Sequence, residues 1–138
     1  WRVIVPEDVL TRMHALRAEK APNETGGYLY GAICEPNSEI YVLFVSAEPL
    51  GTVGSPAHLA LGPCGRTGQE KAFLRRTGRC LPPIGTWHSH PNGAPTASSK
   101  DWKTIEGFLD TDSTHGIPTF MLISGAQSDR AYVKSRRI

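Results

Sequence analysis

Between Gly85 and Trp102 the chain reads GTWHSHPNGAPTASSKDW, and this stretch restricts the fold more than any other. Strand side chains alternate between faces. Ile84, Thr86, His88 and His90 therefore share one face, and Gly85, Trp87 and Ser89 share the other. Pro91, Gly93 and Pro95 then break the strand. SSKDWKTIEGFL reads as a helix, with Ser98 or Ser99 as its N-cap. Asp101 falls in the first turn of that helix and can point back at the two imidazoles. A strand, a broken loop and a helix must then meet around one point that holds two histidines and one carboxylate.

Such a set suits a metal ion. Three protein ligands leave the fourth position of a tetrahedral zinc open, which is the pattern of a catalytic zinc rather than a closed structural one. Zinc lowers the pKa of its water toward about 7 and polarises a carbonyl oxygen. A non-ligating carboxylate must still move the proton to the leaving amine. Glu24 opens the apolar run TGGYLYG and so sits at the edge of a core sheet. Glu48 ends another strand and competes for the role.

The surrounding elements are short and mixed. PEDVLTRMHALRAEK reads as a helix, with Pro6 at its first position and Glu7 and Asp8 at its positive end. Val9, Met13 and Leu16 line one face of it. TGGYLYGAIC and EIYVLFVSAEPL read as strands joined by a hairpin at EPNS. GTVGSPAHLALGPCGRTG, from Gly51 to Gly68, reads as an irregular insertion, and QEKAFLRRTG as a helix ended by Gly78. TFMLISG and RAYVKSRRI read as the last strands. Interleaved helices, strands and hairpins favour an α+β fold with a mixed sheet over a doubly wound parallel one. A length of 138 residues suits a single domain.

Composition excludes several classes. A net charge of +2 gives no general pull on nucleic acid or an anionic membrane. No apolar run approaches the roughly 18 residues that span a bilayer, and no signal-peptide pattern opens the chain. Cys34, Cys64 and Cys80 are odd in number and form no C-x-x-C pair, so three inert thiols in a reducing, cytoplasmic setting are expected. The chain opens on Trp1, which suits a domain taken from a longer protein.

His88, His90, Pro91, Ser98 and Asp101, with seven residues between His90 and Ser98, resemble the JAMM motif of the JAB1/MPN/Mov34 metalloproteases. Glu24 in NETGGYLYG matches the upstream glutamate of that family, and the order of elements fits from about Val3 to Val133. The resemblance implies an MPN/JAB-like (cytidine-deaminase-like) sheet flanked by about three helices. It implies one zinc per chain on His88, His90 and Asp101. Glu24 would deprotonate the zinc-bound water, and Ser98 would donate to the oxyanion. Family members mostly cleave peptide or isopeptide bonds after the tail of a ubiquitin-like protein. IGTWHSHP is most similar to the bacterial JAB subgroup, whose members stand beside or are fused to ThiF-like activating enzymes. In antiphage operons of the CBASS type they remove the attached protein from its target. On this analogy, residues 1–138 are the JAB domain at the end of such a fusion, and Gly51–Gly68 is the candidate for specificity.

Other readings compete. The facial triad of non-haem iron oxygenases also uses two histidines and a carboxylate, but with its carboxylate beside the first histidine. RadC-like domains share a related histidine motif, and the basic RRTGR and KSRRI could serve nucleic acid. Ser89 and NETGGYLYG fit the JAB proteases better. Release of a sulfur carrier from its product is a further use of the same site. A ligand-less MPN scaffold is disfavoured by the intact ligands. His14, His58 and His115 lack matching partners and read as surface or core-edge residues.

Overall fold

The computed structural model describes residues 1–62, 67–103 and 118–135. Eight strands and three helices alternate along them. The order is β1 (Arg2–Ile4), α1 (Glu7–Lys20), β2 (Gly26–Cys34), β3 (Glu39–Val45), β4 (Val53–Gly54), β5 (Leu59–Ala60), α2 (Gly68–Arg76) and β6 (Pro83–His90). Residues 99–103 begin α3, and β7 (Thr119–Gly125) and β8 (Asp129–Lys134) follow. Cys64, His115, the rest of the expected third helix and residues 136–138 of the KSRRI stretch lie outside the described residues.

Six strands form one sheet in the order β1-β3-β2-β6-β7-β8. β1 and β3 pair in parallel, as do β6 and β7, and the other neighbours are antiparallel. The sheet is therefore mixed and the fold α+β, as expected. Period-two alternation divides its residues between two faces. On one face Val9 and Met13 of α1 bury against Leu29, Val42, Trp87 and Leu122, with Leu16 packed beside them. On the other, Phe73 and Leu74 of α2 cover Tyr30. Phe73 stacks on Phe44 at 4.7 Å, and the Tyr30 hydroxyl donates to the buried Glu70. Met121 and Ile123 sit on this second face, toward the histidines.

Two bulges shift the alternation. Tyr30 pairs with Phe44 but Gly31 with Val42, so the extra residue, Leu43, turns outward and both Val42 and Val45 stay inside. On β6, Leu29 pairs with Gly85 but Tyr30 with Pro83. This corrects one expectation: Ile84 packs on the core cluster of Leu29 and Trp87 rather than beside the histidines, because the bulge resets its facing.

Local chemistry explains three further differences. Pro6 is the N-cap of α1, with extended backbone, and not its first helical residue. The Gly51–Gly68 insertion is not wholly irregular, since β4 and β5 pair as a short ribbon. Pro56 presets its turn, Ser55 N–H donates to His58 O at 2.8 Å, and Ser55 Oγ accepts from the His58 amide at 3.1 Å. Thr67 and Glu70 form a full capping box ahead of α2, a T-x-x-E signal overlooked in the sequence. Arg75, Arg76 and Arg79 are exposed beyond it, a solvated basic run.

Candidate metal and catalytic site

Strand β6 places two of the candidate ligands and the start of α3 the third. Trp87 and Ser89 point into the core and anchor β6 from behind. The Trp87 indole is 1% exposed and donates to Ser46 O at 2.8 Å. Removing so large a core aromatic costs about 3–5 kcal/mol. His88 and His90 therefore project to the opposite face, toward the α3 terminus.

Ser98 caps α3 and Ser99 does not. The Ser98 amide donates to Asp101 Oδ2 at 2.8 Å, and the Asp101 amide donates to Ser98 Oγ at 3.2 Å. This reciprocal cap holds Asp101 at a helix N-terminus, where negative charge is favoured. The carboxylate then faces both rings. Oδ1 lies 3.1 Å from His88 Nε2 and Oδ2 lies 3.5 Å from His90 Nε2. The two Nε2 atoms stand 3.2 Å apart.

Those separations fit a cation. Tetrahedral ligands about 2.0–2.1 Å from zinc stand about 3.3–3.4 Å from one another. Among the described residues, His88, His90 and Asp101 are the group whose nitrogen and oxygen atoms cluster this way. The His90 tautomer suits it too. Nδ1 lies 3.0 Å from Ala94 O and donates to it, which leaves the Nε2 lone pair for the site.

Glu24 lies just before β2, two residues ahead of Gly26, which pairs with His88. Its amide donates to Ser55 O at 2.9 Å. Thr25 is bracketed by Ser89, whose amide donates to Thr25 O at 2.8 Å while its Oγ accepts from the Thr25 amide at 2.9 Å. The sequence sets Ser89 on the strand face opposite the histidines and gives it no role. A fully buried hydroxyl needs a partner, and that was the available signal. Glu48, the rival base, is engaged elsewhere, accepting from Thr25 Oγ1 at 2.7 Å and pairing with Lys20 at 3.2 Å.

These side chains line one cavity of about 650 Å³. Glu24, His88, His90, Ser98, Lys100 and Asp101 face a second wall of Pro56, His58, Leu59 and Leu61 from the insertion. His58 is thus a wall of the site, and Lys100 reaches across to Leu59 O at 3.5 Å. His14, by contrast, is far from it and pairs with Asp129 at 2.7 Å. Cys34 and Cys80 are free thiols outside this cavity.

Electrostatics separate the two carboxylates. Burial pushes Glu24 above its ordinary pKa, and the charges of His90 and His88 offset this only in part. Burial also pushes Asp101 up, but the hydrogen bonds from His88 and the Ser98 amide outweigh it. Its carboxyl therefore lies well below the usual range. A carboxyl depressed in the folded state contributes stability above its unfolded pKa of about 3.9, and that stability is lost as pH falls through the folded value. Metal-free protein should therefore lose more melting temperature between neutral pH and pH 2 than Asp101→Asn does. Parallel melting curves for the two proteins check this.

Comparison with known proteins finds relatives along nearly the whole chain. A curated relative, the CD-NTase/cGAS isopeptidase of Enterobacter hormaechei subsp. hoffmannii (strain UCI 50), is 21% identical over 138 residues, covering all of this chain and 75% of the relative. A solution structure of a Desulfitobacterium hafniense protein superposes with a TM-score of 0.61 at 21% identity, covering 99% of this chain and 90% of that one. No helix among the described residues is long and apolar enough to cross a membrane. The family model for prokaryotic homologs of the JAB domain matches residues 6–137, and the chain belongs to that family.

Proposed function

We propose that this protein is a zinc-dependent isopeptidase that cuts after the C-terminal tail of a ubiquitin-like protein. The observation that carries the reading is the convergence of His88, His90 and Asp101 at zinc-ligand spacing, with Glu24 in the same cavity. When bound, the ion supplies acidity to a water and polarises the scissile carbonyl. Glu24 accepts the proton of the attacking water and returns it to the leaving nitrogen. Its raised pKa suits a group that must both take and give a proton. Ser98 Oγ accepts from the Asp101 amide, which leaves its O–H to donate to the oxyanion, so capping and catalysis are compatible.

The insertion supports an extended substrate. β5 is a short strand on the cavity wall, and Leu59 O faces across it to Lys100. An extended tail adds to such an edge by main-chain hydrogen bonds. The name of the Enterobacter relative supports a conjugated CD-NTase as the target. An odd cysteine count supports a reducing, cytoplasmic setting.

Gly54 gives one test of this arrangement. A Cβ there would lie 2.2 Å from Glu24 O, so Gly54→Ala must push β4 and Glu24 apart. A displacement near 1 Å costs about a hundredfold in rate. Gly54→Ala should cut turnover by about ten- to a hundredfold while zinc content, read by elemental analysis, is unchanged.

The direct experiment is cleavage of ubiquitin-like proteins from the same genome, each fused through its C-terminus to a reporter. A cut immediately after the tail, abolished by a chelator and restored by zinc, is expected. One zinc per chain with no cleavage of any such fusion would reject the substrate class and point to sulfur-carrier release.

A further inference from the structure

We infer that Arg17, on the opposite face of the sheet from the cavity, is a positioning residue for His90. The inference rests on His90 being a metal ligand, and it concerns what holds that ring in place. Ala94 O fixes the His90 tautomer, so whatever fixes Ala94 tunes the ligand.

Ala94 is held between two clamped neighbours. In the parallel β6–β7 register His90 lies beside Gly125. A Cβ on Gly125 would stand 2.7 Å from the Pro95 ring and 3.0 Å from Gly93 O, so the loop presses directly on the end of β7. The Ala126 amide donates to Gly93 O at 2.8 Å. Beyond this point the Tyr132 hydroxyl takes over, donating to Pro95 O at 3.2 Å and accepting from the Ala97 amide at 3.0 Å. Gly125 and Ala126 are therefore the seat on which Gly93, Ala94 and Pro95 rest.

That seat is tied to α1 by a charged network whose side chains, Arg17, Ser124, Asp129 and His14, do not line the cavity. Arg17 donates to Gly125 O and to Ser124 Oγ, the latter at 2.9 Å. The fully buried Ser124 hydroxyl donates to Asp129 Oδ1 at 2.8 Å, and His14 meets Asp129 Oδ2 at 2.7 Å. One guanidinium nitrogen, Nη1, donates to two adjacent residues and so ties the end of β7 to α1 at both. A lysine keeps the charge but ends short of the Nη1 position, so its bonds to the two acceptors are weaker. Loosening the turn frees Ala94 and lets the His90 ring exchange tautomers, which removes the Nε2 lone pair part of the time.

The test compares zinc dissociation constants, measured by competition with a chromophoric chelator, in wild type and four variants. Arg17→Met keeps the aliphatic stem and removes both hydrogen bonds. It should weaken zinc binding about tenfold, the lower end of outer-shell effects. Arg17→Lys should fall between it and the wild type. Ser124→Ala removes the second anchor and reads the same effect if Arg17→Met does not fold. Leu16→Ala is the structural control, losing core packing but no bond to the turn. It should lower the melting temperature and leave the zinc constant within about twofold of wild type.

A second readout needs no metal. Nitrogen chemical shifts of His90 in the zinc-free protein should show a single Nδ1–H tautomer in wild type and a mixture in Arg17→Met. Zinc constants within about twofold of wild type in Arg17→Met, or in Ser124→Ala where that one fails to fold, overturn the inference. If the wild type takes up no zinc, the ligand reading fails by itself. The tautomer comparison then decides whether Arg17 positions His90.

Discussion

Glu24→Gln is expected to keep one zinc per chain and to slow cleavage about a thousandfold, within the usual range for losing a general acid–base. Glutamine preserves the size and the amide-side contacts of the glutamate but cannot accept a proton. The backbone that presents Glu24, held by Ser55 O and by the Ser89–Thr25 bracket, is untouched by the change. Binding of the tail should therefore persist, and the loss should fall on kcat rather than KM. Steady-state kinetics together with elemental analysis of the same preparation checks both halves. Turnover near wild type in Glu24→Gln would reject the base. Glu48 is a poor substitute, since Thr25 and Lys20 already occupy its carboxylate. Glu48→Gln should be felt mainly through a loosened Thr25.

Asp101→Ala should abolish zinc binding and activity together. Outer-shell changes alone cost about 10–100-fold in metal affinity, and deleting a ligand costs more. The same side chain also accepts from the Ser98 amide, so the start of α3 loses the reciprocal half of its cap while Ser98 Oγ still accepts from the amide of residue 101. Two measurements separate these effects. The zinc constant reports the ligand, and the melting temperature of chelated protein reports the cap. Asp101→Ala that still holds one zinc at wild-type affinity would remove the carboxylate from the ligand set. His88→Ala should copy the zinc loss without the loss of the cap.

The sequence made the ligands legible because they are local. His88 and His90 follow from strand alternation, and Asp101 from its position in a helix that begins three residues earlier at Ser98. Helix α1, the β2–β3 hairpin and the buried Trp87 were legible for the same reason. What sequence could not show depends on distant pairing. The bulge that turns Ile84 into the core exists only because β2 and β6 meet in one register. Spacing alone left Glu24 and Glu48 open and the resemblance favoured Glu24; that Lys20 and Thr25 engage Glu48 depends on pairing the sequence does not show. The β4–β5 ribbon escaped notice because two-residue strands carry no periodicity, although Ser55 and Pro56 marked its turn.

On the proposed reading, the residues that would hold the ion are neighbours in the chain, whereas Glu24, which would move the proton, is more than sixty positions away and stands just before the β2–β6 ladder. The three candidate ligands are brought together over the short span from His88 to Asp101, and closing so short a loop costs little entropy. Joining Glu24 to it requires the longer closure, which is paid only when the central sheet zips up. On that reading, a chain whose sheet is incomplete would lack the proton carrier even where the three candidate ligands had met, and hydrolytic competence would report that the sheet is complete.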